Sequence, residues 1–211
     1  SRSGAGILSD DEIGNFRWAR RPMNFFAYGT FAAIYLLAGC QSSDRADKLL
    51  VISADNSKLA ITNPPVAIDN RYRLTQPHEN WYGETVHFEG GNILYMHLRF
   101  KSGWYGTSSD VAVLKYYRKF IKKKAVDGLS ASLPDVKRSH SGLGEFSYIS
   151  KSNGETACYA FNVYFGVKYP SEGKGSSVGD RYLRGRKCVP GISAVDLSAE
   201  MNKLVNSITE K

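Results

Sequence analysis

The sequence predicts an α+β fold, an antiparallel β-sheet of about five to six strands with two helices packed on one face. Three observations carry that expectation. Apolar residues alternate around a glycine turn in "ETVHFEGGNILYMHLRF", residues 84–100, as strands joined by a hairpin do. A second such pattern surrounds Asn153 and Gly154 in "EFSYISKSNGETACYAFNVYFGVKY", residues 145–169. Two other segments, 109–125 and 194–208, repeat their apolar residues at helical spacing.

Taken in order, "KLLVIS" and "KLAIT" flank the turn-like "ADNS" and suggest a first hairpin over residues 48–62. Pro64 and Pro65 then break the chain, and residues 64–80 read as irregular. In the next hairpin Leu94, Met96, Leu98 and Phe100 alternate along the second strand. The helix that follows takes Ser109 or Asp110 as its cap, with Val111, Leu114, Tyr117, Ile121 and Ala125 as its apolar stripe. Lys115, Arg118, Lys119 and Lys122 lie opposite, lysines crowd the end where the helix dipole favours cations, and Gly128 is a natural stop.

In the second hairpin Asn153 and Gly154 suit the two positive φ angles of a type I′ turn. A loop rich in Gly and Ser, residues 171–179, leads to a further strand, "DRYLRGRKCV". The last helix opens on Ser193 and Asp196 at capping-box spacing and aligns Leu197, Met201, Leu204, Val205 and Ile208 on one face.

Of 211 residues, 42% are hydrophobic, enough for a packed core and against disorder throughout. The chain carries 28 basic and 20 acidic side chains, a formal charge of +8. Residues 1–39 hold four arginines and three acids, which leaves 24 and 17, or +7, on the remainder. The basic excess therefore belongs to the folded part and favours anionic partners.

Residues 25–39, "FFAYGTFAAIYLLAG", are 15 uncharged residues ending at Cys40. A helix needs ~20 apolar residues to cross a bilayer, so the run suits the apolar region of a secretory signal, flanked by Arg17, Arg20 and Arg21. Leu37, Ala38, Gly39 and Cys40 form a Leu, small, Gly, Cys tetrad that resembles the lipobox of bacterial lipoproteins. The resemblance covers residues 17–43 and implies cleavage before Cys40, a diacylglycerol on its sulfur and palmitate-like acylation of the new amino terminus. Several acyl chains at ~0.8 kcal/mol per buried methylene hold a protein durably where one does not. In enterobacterial members an Asp in the second mature position retains the protein at the inner membrane. Gln41 therefore implies the outer membrane, facing the periplasm. The expected organisation is a targeting segment over 1–39, a lipidated Cys40 with a polar tether to residue 47, and one domain over 48–211. An exported protein has little occasion to meet nucleic acid, so none is expected as partner.

With Cys40 assigned to lipid by that resemblance, Cys158 and Cys188 remain as a pair. A hairpin that sets Lys168 against Asp180 brings them nearly opposite, and an oxidising compartment favours a disulfide there. Neither cysteine stands at metal-ligand spacing from a second pair or from His140, so no metal and no cofactor is expected.

The richest catalytic vocabulary is "HENWYGETVHFEGG", with His78, Glu79, Glu84, His87 and Glu89. Its spacing matches no zinc motif, and no nucleophile elbow, P-loop or dinucleotide fingerprint occurs in the chain, so no catalytic residue is assigned. More suggestive is an echo, "WYGE" at Trp81 and Tyr82 and "WYGT" at Trp104 and Tyr105. Either these rings cover the open ends of the sheet as core, or they stack on sugars or anchor a partner. The cations of the first helix, Lys115, Arg118, Lys119 and Lys122, are a solvated face or a surface for anionic lipid.

The leading expectation is a non-catalytic, lipid-anchored envelope protein that docks or assembles another envelope protein. The alternatives are a module that binds peptidoglycan or an acidic glycan, and a metal-dependent hydrolase.

Overall fold

The computed structural model describes residues 48–75, 80–99, 101–173 and 175–211. Every described residue belongs to one compact unit, Asp44–Lys211. Cys40 with its tetrad, the tether over 41–47, His78 and Glu79 lie outside the described residues.

The elements run β1 (Lys48–Val51), β2 (Leu59–Ile61), β3 (Ile68–Thr75), β4 (Trp81–Phe88), β5 (Gly91–Leu98) and α1 (Ser109–Lys124). There follow β6 (Lys137–Ser141), β7 (Gly144–Ser152), β8 (Thr156–Phe165), β9 (Pro170–Ser171), β10 (Gly175–Ser176), β11 (Arg181–Pro190), α2 (Ala194–Asn206) and β12 (Ile208–Glu210). Eight strands make one antiparallel sheet in the order β1-β3-β4-β5-β11-β8-β7-β6. The fold is thus α+β with an antiparallel sheet, and that sheet is larger than the five to six strands expected.

Two strands escape the sequence reading for the same reason. In β3, "IDNRYRLT", the alternation is confined to Tyr72 and Leu74 between arginines, and in β6, "KRSHS", there is none. In β3 the polar side chains are anchored instead. Arg71 Nη1 donates to Ser57 Oγ at 2.9 Å and to Leu59 O at 3.0 Å, and Arg73 Nη2 donates to Asn56 O at 3.1 Å. The expected hairpin over 48–62 does not form, because β1 pairs with β3 while β2 pairs with β12 at the far end of the chain.

The helices do not share one face, which corrects the expected architecture. Along β8, Ala157, Tyr159, Phe161 and Val163 pack with Leu197, Met201, Leu204 and Val205 of α2. Their neighbours Cys158 and Ala160, with Ile149 of β7, pack with Val113, Leu114, Tyr117, Phe120 and Ile121 of α1. Successive strand residues point to opposite faces, so α1 and α2 cover opposite sides of the sheet. A strand apolar on both faces, as β8 is, requires such cover.

Local details are shifted as well. The Ser108 hydroxyl caps α1, accepting from Val111 N at 3.4 Å, and the helix ends at Ala125 with φ 51° rather than at Gly128. Leu114, Tyr117 and Ile121 of the expected stripe are buried, but Val111 is half-buried and Ala125 exposed, and Val113 and Phe120 complete the buried face instead. In the β7–β8 turn only Gly154 has positive φ. Asn153 instead accepts at Oδ1 from Glu155 N and Thr156 N, at 3.1 and 2.9 Å. Cys158 and Cys188 are direct cross-strand partners with Cα atoms 4.1 Å apart, and they form a disulfide. The β8–β11 register pairs Phe165 with Arg181, two residues from the register expected through Lys168 and Asp180. Among the described residues no helix is long and apolar enough to cross a membrane.

Candidate functional site

The two Trp-Tyr-Gly segments bring their tryptophans, and not their tyrosines, to one face of the sheet. Cross-strand pairing lines up Leu74, Gly83, Met96, Tyr182 and Tyr164 as a row across β3, β4, β5, β11 and β8. Trp81 lies on this row where glycine leaves room. A Cβ on Gly83 would stand 2.6 Å from Trp81 Cζ3, 2.7 Å from Met96 Sδ and 3.0 Å from Leu74 Cδ1. Trp104 meets the same row further along, edge-on to Tyr182 with ring centroids 4.8 Å apart. Its backbone is held like a strand's, with Trp104 N donating to Gly179 O at 2.8 Å and Val178 N donating to Trp104 O at 2.9 Å.

The tyrosines serve the scaffold. Tyr82 follows Trp81 in an extended strand and therefore points to the other face, where it is buried and donates to Glu84 Oε2 at 2.6 Å. Burial first, and the bond to Glu84 next, push its hydroxyl up to about 12. Tyr105 donates to Tyr169 O at 2.9 Å and ties its loop to the β9 segment.

Beside the tryptophan row stands an arginine ladder. Arg184 and Arg186 alternate along β11 and so project to the same face. The Arg184 guanidinium lies 4.7 Å from the centre of the Tyr116 ring and 5.2 Å from that of Tyr182. Arg186 lies 5.6 Å from Tyr116 and 4.9 Å from Phe120, and its Nε donates to Asn92 Oδ1 at 3.1 Å. Stacking on aromatic faces holds both cations in set orientations. Their register neighbours on β4 are Thr85 and His87, and the His87 ring meets Tyr72 edge-on at 5.2 Å. Among the described residues, this face of β3, β4, β5 and β11 carries no Asp or Glu within the paired rows. Helix α1 approaches this face at β11 through Tyr116 and Phe120, and Leu74, Thr85, Asn92, Met96 and Tyr182 are buried within it.

The other expected site residues are placed elsewhere. Lys115, Arg118, Lys119 and Lys122 are exposed on α1, and Arg118 serves the fold by donating from Nε to Ala131 O at 2.9 Å. The helix presents Tyr116 and Phe120 to the arginines of β11. Of the acid/base candidates, Glu84 and His87 point to opposite faces of β4, and Glu89 is exposed in the turn after it. Among the described residues, no group of three or more His, Cys, Asp or Glu side chains is arranged to hold a metal.

Residues missed by the sequence reading include Arg184, Arg186, Tyr116 and Tyr182, although the alternate arginines of "RYLRGRK" were a usable signal once that run was a strand. A second missed cluster closes the chain's end. Tyr95 donates to Glu210 Oε1 at 2.5 Å, Arg181 Nη1 donates to Glu210 Oε2 at 2.6 Å, and His97 Nε2 lies 3.7 Å from buried Asp180. Burial, ahead of the nearby Arg181 charge, lowers the His97 pKa.

Compared with known protein families, with curated proteins and with solved structures, the chain matches none.

Proposed function

We propose that the chain is a bacterial envelope lipoprotein, acylated at Cys40 and facing the periplasm from the outer membrane, whose domain docks an anionic envelope partner without catalysing a reaction. The observation that supports this reading is the face built from Trp81, Trp104, Arg184 and Arg186, where rings and oriented cations adjoin. Aromatic and arginine side chains together are what interfaces use for their strongest contacts. A partner protein with an acidic patch fits this face by charge, the two guanidinium groups being held against the Tyr116 and Phe120 rings.

Two measurements test the reading. Mass spectrometry of the mature amino terminus is expected to find an acylated peptide beginning at Cys40, and an intact segment before it removes the lipoprotein half. A photoreactive residue in place of Leu94, which lies between Thr85 and Arg184 in the register, is expected to crosslink one envelope protein in cells. Retention of that adduct in an Arg184→Ala, Arg186→Ala chain removes the docking half.

A second reading, a module for peptidoglycan or an acidic glycan, is favoured by the two tryptophans on one row. Purified cell wall is then expected to retain the wild-type chain and to release a Trp81→Ala, Trp104→Ala variant. Equal retention of both excludes it.

A further inference from the structure

The sheet has two edges of opposite character. At one end β6 presents Lys137, Arg138 and His140 to solvent, the kind of charged edge that resists pairing with another chain. At the other end β1 presents Leu49, Leu50 and Val51, which are 36%, 50% and 72% exposed. Among the described residues, the remaining large exposed apolar side chains, Leu133, Val167 and Val195, stand singly. Three in succession on an open edge is a different situation, because a row of backbone donors and acceptors lies beside them.

Ile52 N donates to Arg71 O at 3.0 Å, which makes Ile52 and Arg71 a hydrogen-bonded pair of the β1–β3 ladder. Bonded and non-bonded pairs alternate in an antiparallel ladder, so Leu50 and Arg73 are bonded while Leu49:Leu74 and Val51:Tyr72 are not. Leu49 and Val51 therefore turn their N–H and C=O groups outward from the sheet.

We propose that this edge binds a second copy of the same chain, strand β1 against strand β1, antiparallel about a two-fold axis through Leu50. In that register Leu49 of each copy faces Val51 of the other, so the two outward-facing residues form bonded pairs and exchange both N–H···O contacts. Leu50 meets Leu50 as a non-bonded pair, with side chains on the α2 side of the sheet. Leu49 and Val51 gain each other's cover on the α1 side. Every exposed apolar side chain of the edge thus finds a like neighbour, and no charge among residues 49–51 opposes the approach. A two-fold interface needs a surface complementary to itself, which this three-residue register supplies. The inference is independent of what binds the tryptophan and arginine face.

The test uses the full chain purified in detergent. Opposed non-bonded positions are where this protein already places a disulfide, with Cys158 and Cys188 opposite each other at a Cα distance of 4.1 Å. Leu50→Cys is therefore expected to give a disulfide-linked dimer under mild oxidation at least about tenfold faster than Val195→Cys, a solvent-exposed control on α2. Val51→Lys, which puts a charge on the edge and leaves the core untouched, is expected to abolish a concentration-dependent dimer in sedimentation with circular dichroism unchanged. Equal crosslinking of the two cysteine variants, a wild-type monomer at every concentration, or a Val51→Lys chain that dimerises like wild type each overturns the proposal.

Discussion

Ser57 donates its hydroxyl to Glu84 Oε1 at 2.6 Å, a bond between two buried side chains 27 residues apart. The same carboxylate accepts from Leu59 N at 3.1 Å, Lys58 N at 3.0 Å and Tyr82 OH at 2.6 Å. A carboxylate that is 1% exposed is thereby surrounded by donors and fastens the loop before β2 to the sheet. Replacing it with an amide turns an NH2 group toward one of those donors. Glu84→Gln is expected to lower unfolding stability by about 2–3 kcal/mol, since a buried donor loses its acceptor. Urea unfolding measures this, and a change below about 0.5 kcal/mol means that the loop does not depend on Glu84.

Gly83 is where the Trp81 ring rests, and an added methyl has nowhere to go on that side of the strand. Gly83→Ala is expected to lift the indole off Met96 and Leu74 at a cost of about 1–3 kcal/mol, the usual penalty of overpacking. Tryptophan emission shifted to the red, as the ring meets more water, is the accompanying signature. Unchanged emission and stability would show that the ring is not seated there.

The disulfide closes a separation of 30 residues and joins the neighbouring interior strands β8 and β11. Its loss in a Cys158→Ala, Cys188→Ala chain is expected to cost about 3 kcal/mol, chiefly by freeing the unfolded chain. Alanine is the fitting replacement because Cys158 sits inside the α1 core. Denaturant midpoints that stay the same with and without reductant would contradict this role.

Alkaline pH probes the buried tyrosines. Tyr82 is raised from 10.0 to about 12 by burial and then by Glu84, and Tyr164 is raised to about 12 by burial and then by Tyr182. Raised values mean that the fold favours the neutral phenol. The stability they contribute is present in full below pH 10.0 and is lost as pH rises toward about 12. Unfolding curves across that window are expected to weaken steadily, and Tyr82→Phe is expected to weaken less steeply. A wild-type stability that is level over the window would refute the assignment.

Much of the fold was legible because it is local. The β4–β5 and β7–β8 hairpins and both helices lie where alternation and helical spacing put them, since each pattern is complete within a short stretch. The opposed cysteines were legible to within two residues of register, limited only by the length of the loop between β8 and β11. What escaped was non-local. β3 is a strand because Arg71 and Arg73 find acceptors at Ser57, Leu59 and Asn56, and nothing in "IDNRYRLT" announces them. At the candidate face, Trp81 and Trp104 stood out as an echo, yet Tyr82 was separable from Trp81 by strand parity alone.

By itself, then, the sequence determined the antiparallel character of the sheet, the positions of its hairpins and helices, and the pairing of Cys158 with Cys188. Only the tertiary structure decided which side of the sheet each helix takes and that β1, not β6, is the apolar edge. It also decided that Arg184 and Arg186 stack on rings from a helix more than sixty residues earlier. The physical reason is that β8 is apolar on both faces, so its pattern admits a helix on either side. Which helix covers which face depends on contacts that local periodicity does not encode.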